Sequence, residues 1–147
     1  MNIVLNQIRI NAPIDAVFDL VTTAQFWPLW HPSTASVSGV TDRPYQLGDQ
    51  IRQIATIGGR LRHGIWTVVE LNRPARTTLQ MHNGAIEIRY SFTALPTDTQ
   101  VIRRLAYTAD FVDGGHDLTV FEQLMHAESA LGLQQLKALI ESRLGTH

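Results

Sequence analysis

The chain has no cysteine. That excludes a disulfide framework, a thiolate metal ligand and a cysteine nucleophile. No apolar run approaches the ~20 residues that a membrane-spanning helix needs. The first residues, MNIVLNQIRI, lack the basic and long apolar regions of a secretory signal, so a cytoplasmic location is the default expectation. Lysine and arginine number 12 against 13 acids, and the formal net charge is −1. No basic stripe is present, which argues against a nucleic-acid binder relying on phosphate contacts. Glycine patterns that cradle phosphate or expose a serine nucleophile are missing too. The six histidines (His31, His63, His82, His116, His126 and His147) include no His-x-His or His-x-x-x-His pair. Their spacing predicts no metal site, and no cofactor is expected. What is left is globular composition, 44% hydrophobic and 17% charged over 147 residues, enough for one domain over 1–147 with a sizeable core.

Val4 to Ile10 is β-branched and roughly alternating, which predicts a first strand. Pro13 suits the first turn of a helix, where its missing N–H costs nothing. Asp15 sits where the helix dipole favours an acid. Ile14, Val17, Phe18 and Val21 recur at helical spacing, predicting a helix over roughly residues 13–22. Ala24-Gln25-Phe26-Trp27 predicts a second short helix, interrupted by Pro28 and Pro32. Strand-like stretches follow at roughly 34–40, 48–57, 60–71, 76–82, 84–95 and 99–112. Gly58-Gly59 and Asn83-Gly84 separate them most sharply, since both allow the positive φ of tight hairpins. Gly114-Gly115 closes the last strand. From residue 116 or 117 the pattern turns helical for about 25 residues. Phe121, Leu124, Met125, Leu131, Leu136, Leu139, Ile140 and Leu144 make its broad apolar stripe.

Strand side chains alternate between faces, and the more apolar parity of each strand reads as the inner one. That gives Ile51, Gln53, Ala55 and Ile57, then Leu61, His63, Ile65, Thr67 and Val69. Leu79 and Met81 follow, then Ile86, Ile88, Tyr90 and Phe92, and finally Val101, Arg103, Leu105, Tyr107, Ala109 and Phe111. The opposite parity carries Gln50, Arg52, Arg60, Arg62, Glu87, Arg89, Arg104 and Asp110, as a solvated face should. One apolar sheet face must be covered, and the C-terminal helix is the long cover available.

Five segments in order carry a family resemblance. Ile10-Asn11-Ala12-Pro13-Ile14-Asp15-Ala16-Val17-Phe18 resembles a strand followed by Ala-Pro, an acid and Val-Phe entering the first helix. Trp27-Pro28-Leu29-Trp30-His31-Pro32 resembles the proline/tryptophan segment before the second strand. Tyr45-Gln46-Leu47-Gly48-Asp49 is similar to a Gly-Asp strand entry. Trp66-Thr67-Val68-Val69-Glu70-Leu71-Asn72-Arg73-Pro74 resembles a Trp-x-Val-x-Glu strand and turn, and Leu133-Gln134-Gln135-Leu136-Lys137-Ala138-Leu139-Ile140-Glu141 a final Leu-Lys-x-x-x-Glu helix. Together they resemble the START-like (SRPBCC) superfamily, which includes pollen-allergen-type proteins and the bacterial polyketide cyclase/dehydrase group. The resemblance implies an α+β helix-grip fold: a curved antiparallel sheet of six to seven strands around a long C-terminal helix, with two short helices after the first strand. It also implies a ligand-sized apolar cavity, but no catalytic motif.

Within that frame Trp27, Trp30 and His31 are candidates for an amphipathic rim at the cavity mouth; packing of the short helices onto the sheet is the plainer alternative. Gln53, His63, Tyr90, Arg103 and Tyr107 are polar on the inner parity, and buried polar groups need partners. Arg103 suits an acidic ligand group; an ion pair with Glu128, the one acid on the helical stripe, is its internal alternative. Met81 and Met125 complete the candidate lining. The expected function is binding of a small hydrophobic molecule such as a lipid, polyketide or aromatic metabolite. One alternative is a cyclase or dehydratase in which His63, Arg103 and the tyrosines move a proton. Another is a non-catalytic interaction or stress-response module. Expected partners are thus a small hydrophobic molecule, with no nucleic acid and no membrane span, in a monomer or homodimer.

Overall fold

The computed structural model describes residues 2–57, 59–108 and 117–144. Strand β1 (Asn2–Ile10) leads into helix α1 (Ile14–Thr22), a 3-10 turn (Ala24–Phe26) and the short helix α2 (Trp27–Trp30). Then come β2 (Thr34–Gly39), β3 (Gln50–Ile57), β4 (Arg60–Asn72), β5 (Arg76–Met81), β6 (Ile86–Ala94) and β7 (Thr99–Tyr107). Helix α3 (Leu118–Leu144) ends the described chain. The seven strands form one antiparallel sheet in the order β1-β7-β6-β5-β4-β3-β2. This is the helix-grip arrangement expected from the sequence. The Gly114-Gly115 break, the inward placement of the Ile57 side chain, and the inner or outer placement of Ala109, Asp110 and Phe111 lie outside what is described.

Local chemistry explains the element ends that matter for the site. Pro28 stands in the first turn of α2, where a proline fits. Pro32 disfavours helical backbone at the residue before it, and His31 is accordingly extended, with φ −90 and ψ 112. Asp117 caps α3, its Oδ1 accepting from Thr119 N–H at 2.7 Å. Asn83 and Gly84 both take positive φ in the β5–β6 connection, as the Asn-Gly pair predicts.

Helix α3 has 27 residues, about 40 Å at 1.5 Å per residue. Its C-terminal half lies along β1. Lys137 Nζ donates to the Arg9 carbonyl at 2.9 Å, and Glu141 accepts from the Asn11 N–H at 2.8 Å. Leu133, Leu136 and Ile140 are fully buried there with Val4 and Ile10. Gly132 lets the helix approach α2: a Cβ at this position would lie 3.2 Å from Pro32 Cδ. The C-terminal half of α3 is therefore packed against β1, and the hollow described below lies beside its N-terminal half.

The inner parity holds on β3, β5, β6 and β7. Ile51, Gln53, Ala55, Leu79, Met81, Ile86, Ile88, Tyr90, Phe92, Val101, Arg103, Leu105 and Tyr107 are all buried. On β4 it is reversed. Trp66 and Val68 are buried, whereas Leu61, His63, Ile65 and Val69 are exposed. Paired residues on neighbouring strands share a face, and Ile51 pairs with Trp66 and Gln53 with Gly64. The apolar count on β4 misleads because Arg62 and Gly64 occupy inner positions while three aliphatics face out. Val68→Thr should cost about 1–3 kcal/mol, and Ile65→Thr no more than about 0.5 kcal/mol. Urea unfolding of the two variants checks this; equal losses would contradict the reversed parity.

Candidate functional site

Beside the N-terminal half of α3, side chains from α2, β3–β7 and α3 enclose a hollow with about 50 Å³ in which a water-sized centre can sit. That is room for a few waters, given about 10–15 Å³ for each. Leu79, Ile86, Ile88, Leu105 and Met125 form an aliphatic wall. Trp27, Trp30 and Trp66 form an aromatic one, and these are all the tryptophans of the chain. His31 and Glu128 are the two lining residues that keep part of their surface in solvent. The hollow therefore meets solvent between the end of α2 and α3.

One strip of polar residues crosses this apolar lining. Arg103, 4% exposed, donates through Nε to the Tyr90 hydroxyl at 3.1 Å and through one terminal nitrogen to His31 Nε2 at 3.1 Å. A guanidinium has no acceptor, so His31 Nε2 must accept. In the neutral imidazole the proton then sits on Nδ1, which faces Ser33 Oγ and Thr34 Oγ1, each at 3.0 Å. Thr34 Oγ1 also accepts from Gln53 Nε2 at 2.5 Å, and Gln53 Oε1 accepts from Trp66 Nε1 at 2.7 Å. The strip runs from Tyr90 on β6 to Trp66 on β4, and the sense of each bond to Arg103 and Trp66 is fixed by a group that can only donate.

Burial, and then the neighbouring Arg103 charge, pushes His31 down to about 3. The residue as a whole is only partly buried, which tempers the burial contribution. The hydrogen bond acts the same way, since Nε2 cannot take a proton while it accepts from a guanidinium. Burial raises the Glu128 carboxyl, with Arg103 working weakly against it. Among the described residues no hydrogen bond or ion pair joins Glu128 to Arg103, so the internal pairing considered from the sequence is absent. The Trp30 indole N–H is buried with no hydrogen-bond partner. The Trp27 N–H instead donates to the Val21 carbonyl at 2.8 Å, closing the end of α1.

Seven sequence candidates line the hollow: Trp27, Trp30, His31, Gln53, Tyr90, Arg103 and Met125. Three do not. His63 lies on the outer face of β4 because of the reversed parity. Met81 is inward but covers Gly64, where an added Cβ would collide with its sulfur. Tyr107 is wholly buried against Phe121, ring centroids 5.2 Å apart, and does not reach the lining. Reasoning from periodicity missed Trp66, Ser33 and Thr34. A two-residue Gly58-Gly59 turn could have found Trp66, since it pairs inward Ile51 with residue 66. No periodic signal marks Ser33 and Thr34. Among the described residues no cluster of histidine and acidic side chains suits a metal ion.

The sequence pattern of the family described as polyketide cyclase / dehydrase and lipid transport matches residues 1–141. The chain belongs to this family. No curated protein matches it. Among solved structures, a START superfamily protein from Mycobacterium smegmatis is similar, with a TM-score of 0.78 and 17% identity over 96% of this chain and 98% of that one. The Zhui aromatase/cyclase from Streptomyces sp. R1128 is similar at a TM-score of 0.74 and 14% identity, over 99% and 96% of the two chains. The Aha1 dimer from Colwellia psychrerythraea is similar at 0.73 and 19%, over 99% and 100%. At these identities the likeness is one of fold. Within the described residues of this family member, no helix is long and apolar enough to cross a membrane.

The low pKa of His31 has a measurable consequence. In the unfolded chain it titrates near the ordinary 6.5, and in the folded chain near 3. Between these values only the unfolded chain takes up the proton. This group's contribution to stability is thus lost as pH falls from about 6.5 toward 3, at no more than about 1.4 kcal/mol per pH unit. Urea unfolding at several pH values should show a steeper acid loss for the native chain than for His31→Gln. Parallel profiles would show that His31 is not held neutral.

Proposed function

We propose that this protein binds a small hydrophobic ligand in the hollow between the sheet and α3. The observation that carries the reading is the convergence of all three tryptophans and five aliphatic side chains on one enclosed space crossed by a single polar strip. Pockets of this composition bind by burying apolar surface and orient the ligand with a few polar groups. Burial supplies roughly 25 cal/mol per Å² before ordering costs. The hollow is narrow, so the ligand is either small or displaces Met125, whose unbranched side chain repacks easily. Family membership, with lipid transport in its description, supports the same reading.

The cyclase or dehydratase alternative draws support from the family description and from the fold shared with the Zhui aromatase/cyclase. Its residues fit less well. His63 is on the outer face, and His31 has both ring nitrogens engaged and a pKa near 3, far from the value that favours proton transfer at neutral pH. Glu128, raised by burial and without a hydrogen bond among the described residues, is the better acid of the site.

A thermal-shift screen of small aromatic and aliphatic compounds tests the binding reading, with Met125→Trp as a variant whose hollow is filled. A ligand at a hundred times its Kd should stabilise the native chain by about 2.7 kcal/mol and leave Met125→Trp unmoved. Equal shifts in both proteins, or none in either, would overturn the proposal.

A further inference from the structure

The wall of the hollow is unbalanced in its hydrogen-bonding groups. Of the five N–H donors on a guanidinium, Arg103 commits one to Tyr90 and one to His31. The others have no protein partner among the described residues. Tyr90 receives a bond from Arg103, so its own hydroxyl proton is free to be donated onward. The Trp30 indole N–H is buried without a partner. The side-chain acceptors of the strip each already receive a bond: His31 Nε2 from Arg103, Thr34 Oγ1 from Gln53 and Gln53 Oε1 from Trp66, while Ser33 Oγ faces His31 Nδ1. The Glu128 carboxyl sits at the mouth and makes no hydrogen bond among the described residues. The interior thus offers a buried positive charge with surplus donors and little to accept a ligand's hydrogens.

The geometry points to an anionic ligand: a small hydrophobic carboxylic acid whose carboxylate enters first, toward Arg103, Tyr90 and Trp30, with its apolar body against Leu105 and Met125. This rests on the binding reading and narrows it to one chemical class. A carboxylate supplies several acceptor positions and neutralises a guanidinium that makes no ion pair among the described residues, in a surrounding where such a bond is stronger than in water. A neutral compound of the same shape leaves the charge uncompensated. Glu128 at the entrance disfavours the bound anion when ionised, so it limits affinity rather than supplying it.

Benzoate and its neutral isostere benzamide test the proposal by calorimetric titration, read as the ratio of their affinities for one protein. The native chain should prefer benzoate by about tenfold or more. Arg103→Gln should bring the ratio close to one, and Trp30→Phe, which keeps a ring but removes the N–H, should lower it by a few fold. Should Arg103→Gln fail to fold, Glu128→Gln gives an independent reading: it should raise the ratio above that of the native chain. A native ratio near one, or a ratio unmoved by Glu128→Gln and Trp30→Phe, overturns the anionic preference while leaving hydrophobic binding intact. If neither compound binds, the carboxylate proposal falls, and the binding reading is decided separately by the screen above.

Discussion

A guanidinium buried in an apolar interior is the constraint on which the rest of the site depends. Moving a cation out of water costs several kcal/mol even after relaxation, and among the described residues no carboxylate hydrogen-bonds to or ion-pairs with Arg103 to offset that. What it has are oriented neutral acceptors, the Tyr90 oxygen and His31 Nε2. That choice propagates. An imidazole that accepts from a cation must be neutral, with its proton on Nδ1. Ser33 or Thr34 must then receive that proton; from the other end the donor-only Trp66 N–H holds the Gln53 oxygen and so turns its NH₂ to Thr34. One charge thereby sets the protonation of His31, just past α2, and the strip it anchors continues through β2 and β3 to Trp66 on β4.

The backbone holds these groups at register positions that the fold already fixes. Tyr90 and Arg103 stand directly opposite each other across β6 and β7, so their contact needs no loop to position it. Gln53 stands opposite Gly64, where the absent side chain leaves space that Met81 fills from β5. His31 arrives from outside the sheet, and there the two prolines matter. Pro28 starts α2, and Pro32 forces the residue before it out of helical geometry. Gly132 lets α3 close against that same segment. The ring of His31 is thus presented to Arg103 by backbone restrictions as much as by packing.

Most of this fold was legible because its periodicities agree. Alternation on β6 and β7 placed Tyr90, Arg103 and Leu105 inward, and the helical stripe placed Met125 and Glu128 on the covering face. β4 failed for a physical reason: both of its faces are apolar. Leu61, Ile65 and Val69 face solvent, while Trp66 and Val68 share the inner face with Gly64. Counting apolar residues therefore picks the wrong side, and only pairing with β3 through the short Gly58-Gly59 connection corrects it. Ser33 and Thr34 were invisible for another reason. Their role is set by the tautomer of His31, which in turn depends on Arg103, a residue 72 positions away. No local pattern encodes such a chain of dependence.

For a ligand bound as proposed, the small volume of the hollow would sharpen selectivity. In a wide cavity, water can solvate Arg103 from several sides and any apolar guest can coexist with it. With room for only a few water-sized centres, a guest must displace whatever solvates the guanidinium. Displacing ordered water without replacing its hydrogen bonds loses affinity. A purely apolar guest would therefore forfeit hydration of a buried charge to gain contact with Leu79, Ile88 and Leu105. Only a guest that brings its own acceptors keeps both terms favourable, so tightness of packing and the unpaired donors of Arg103 and Trp30 discriminate in the same direction.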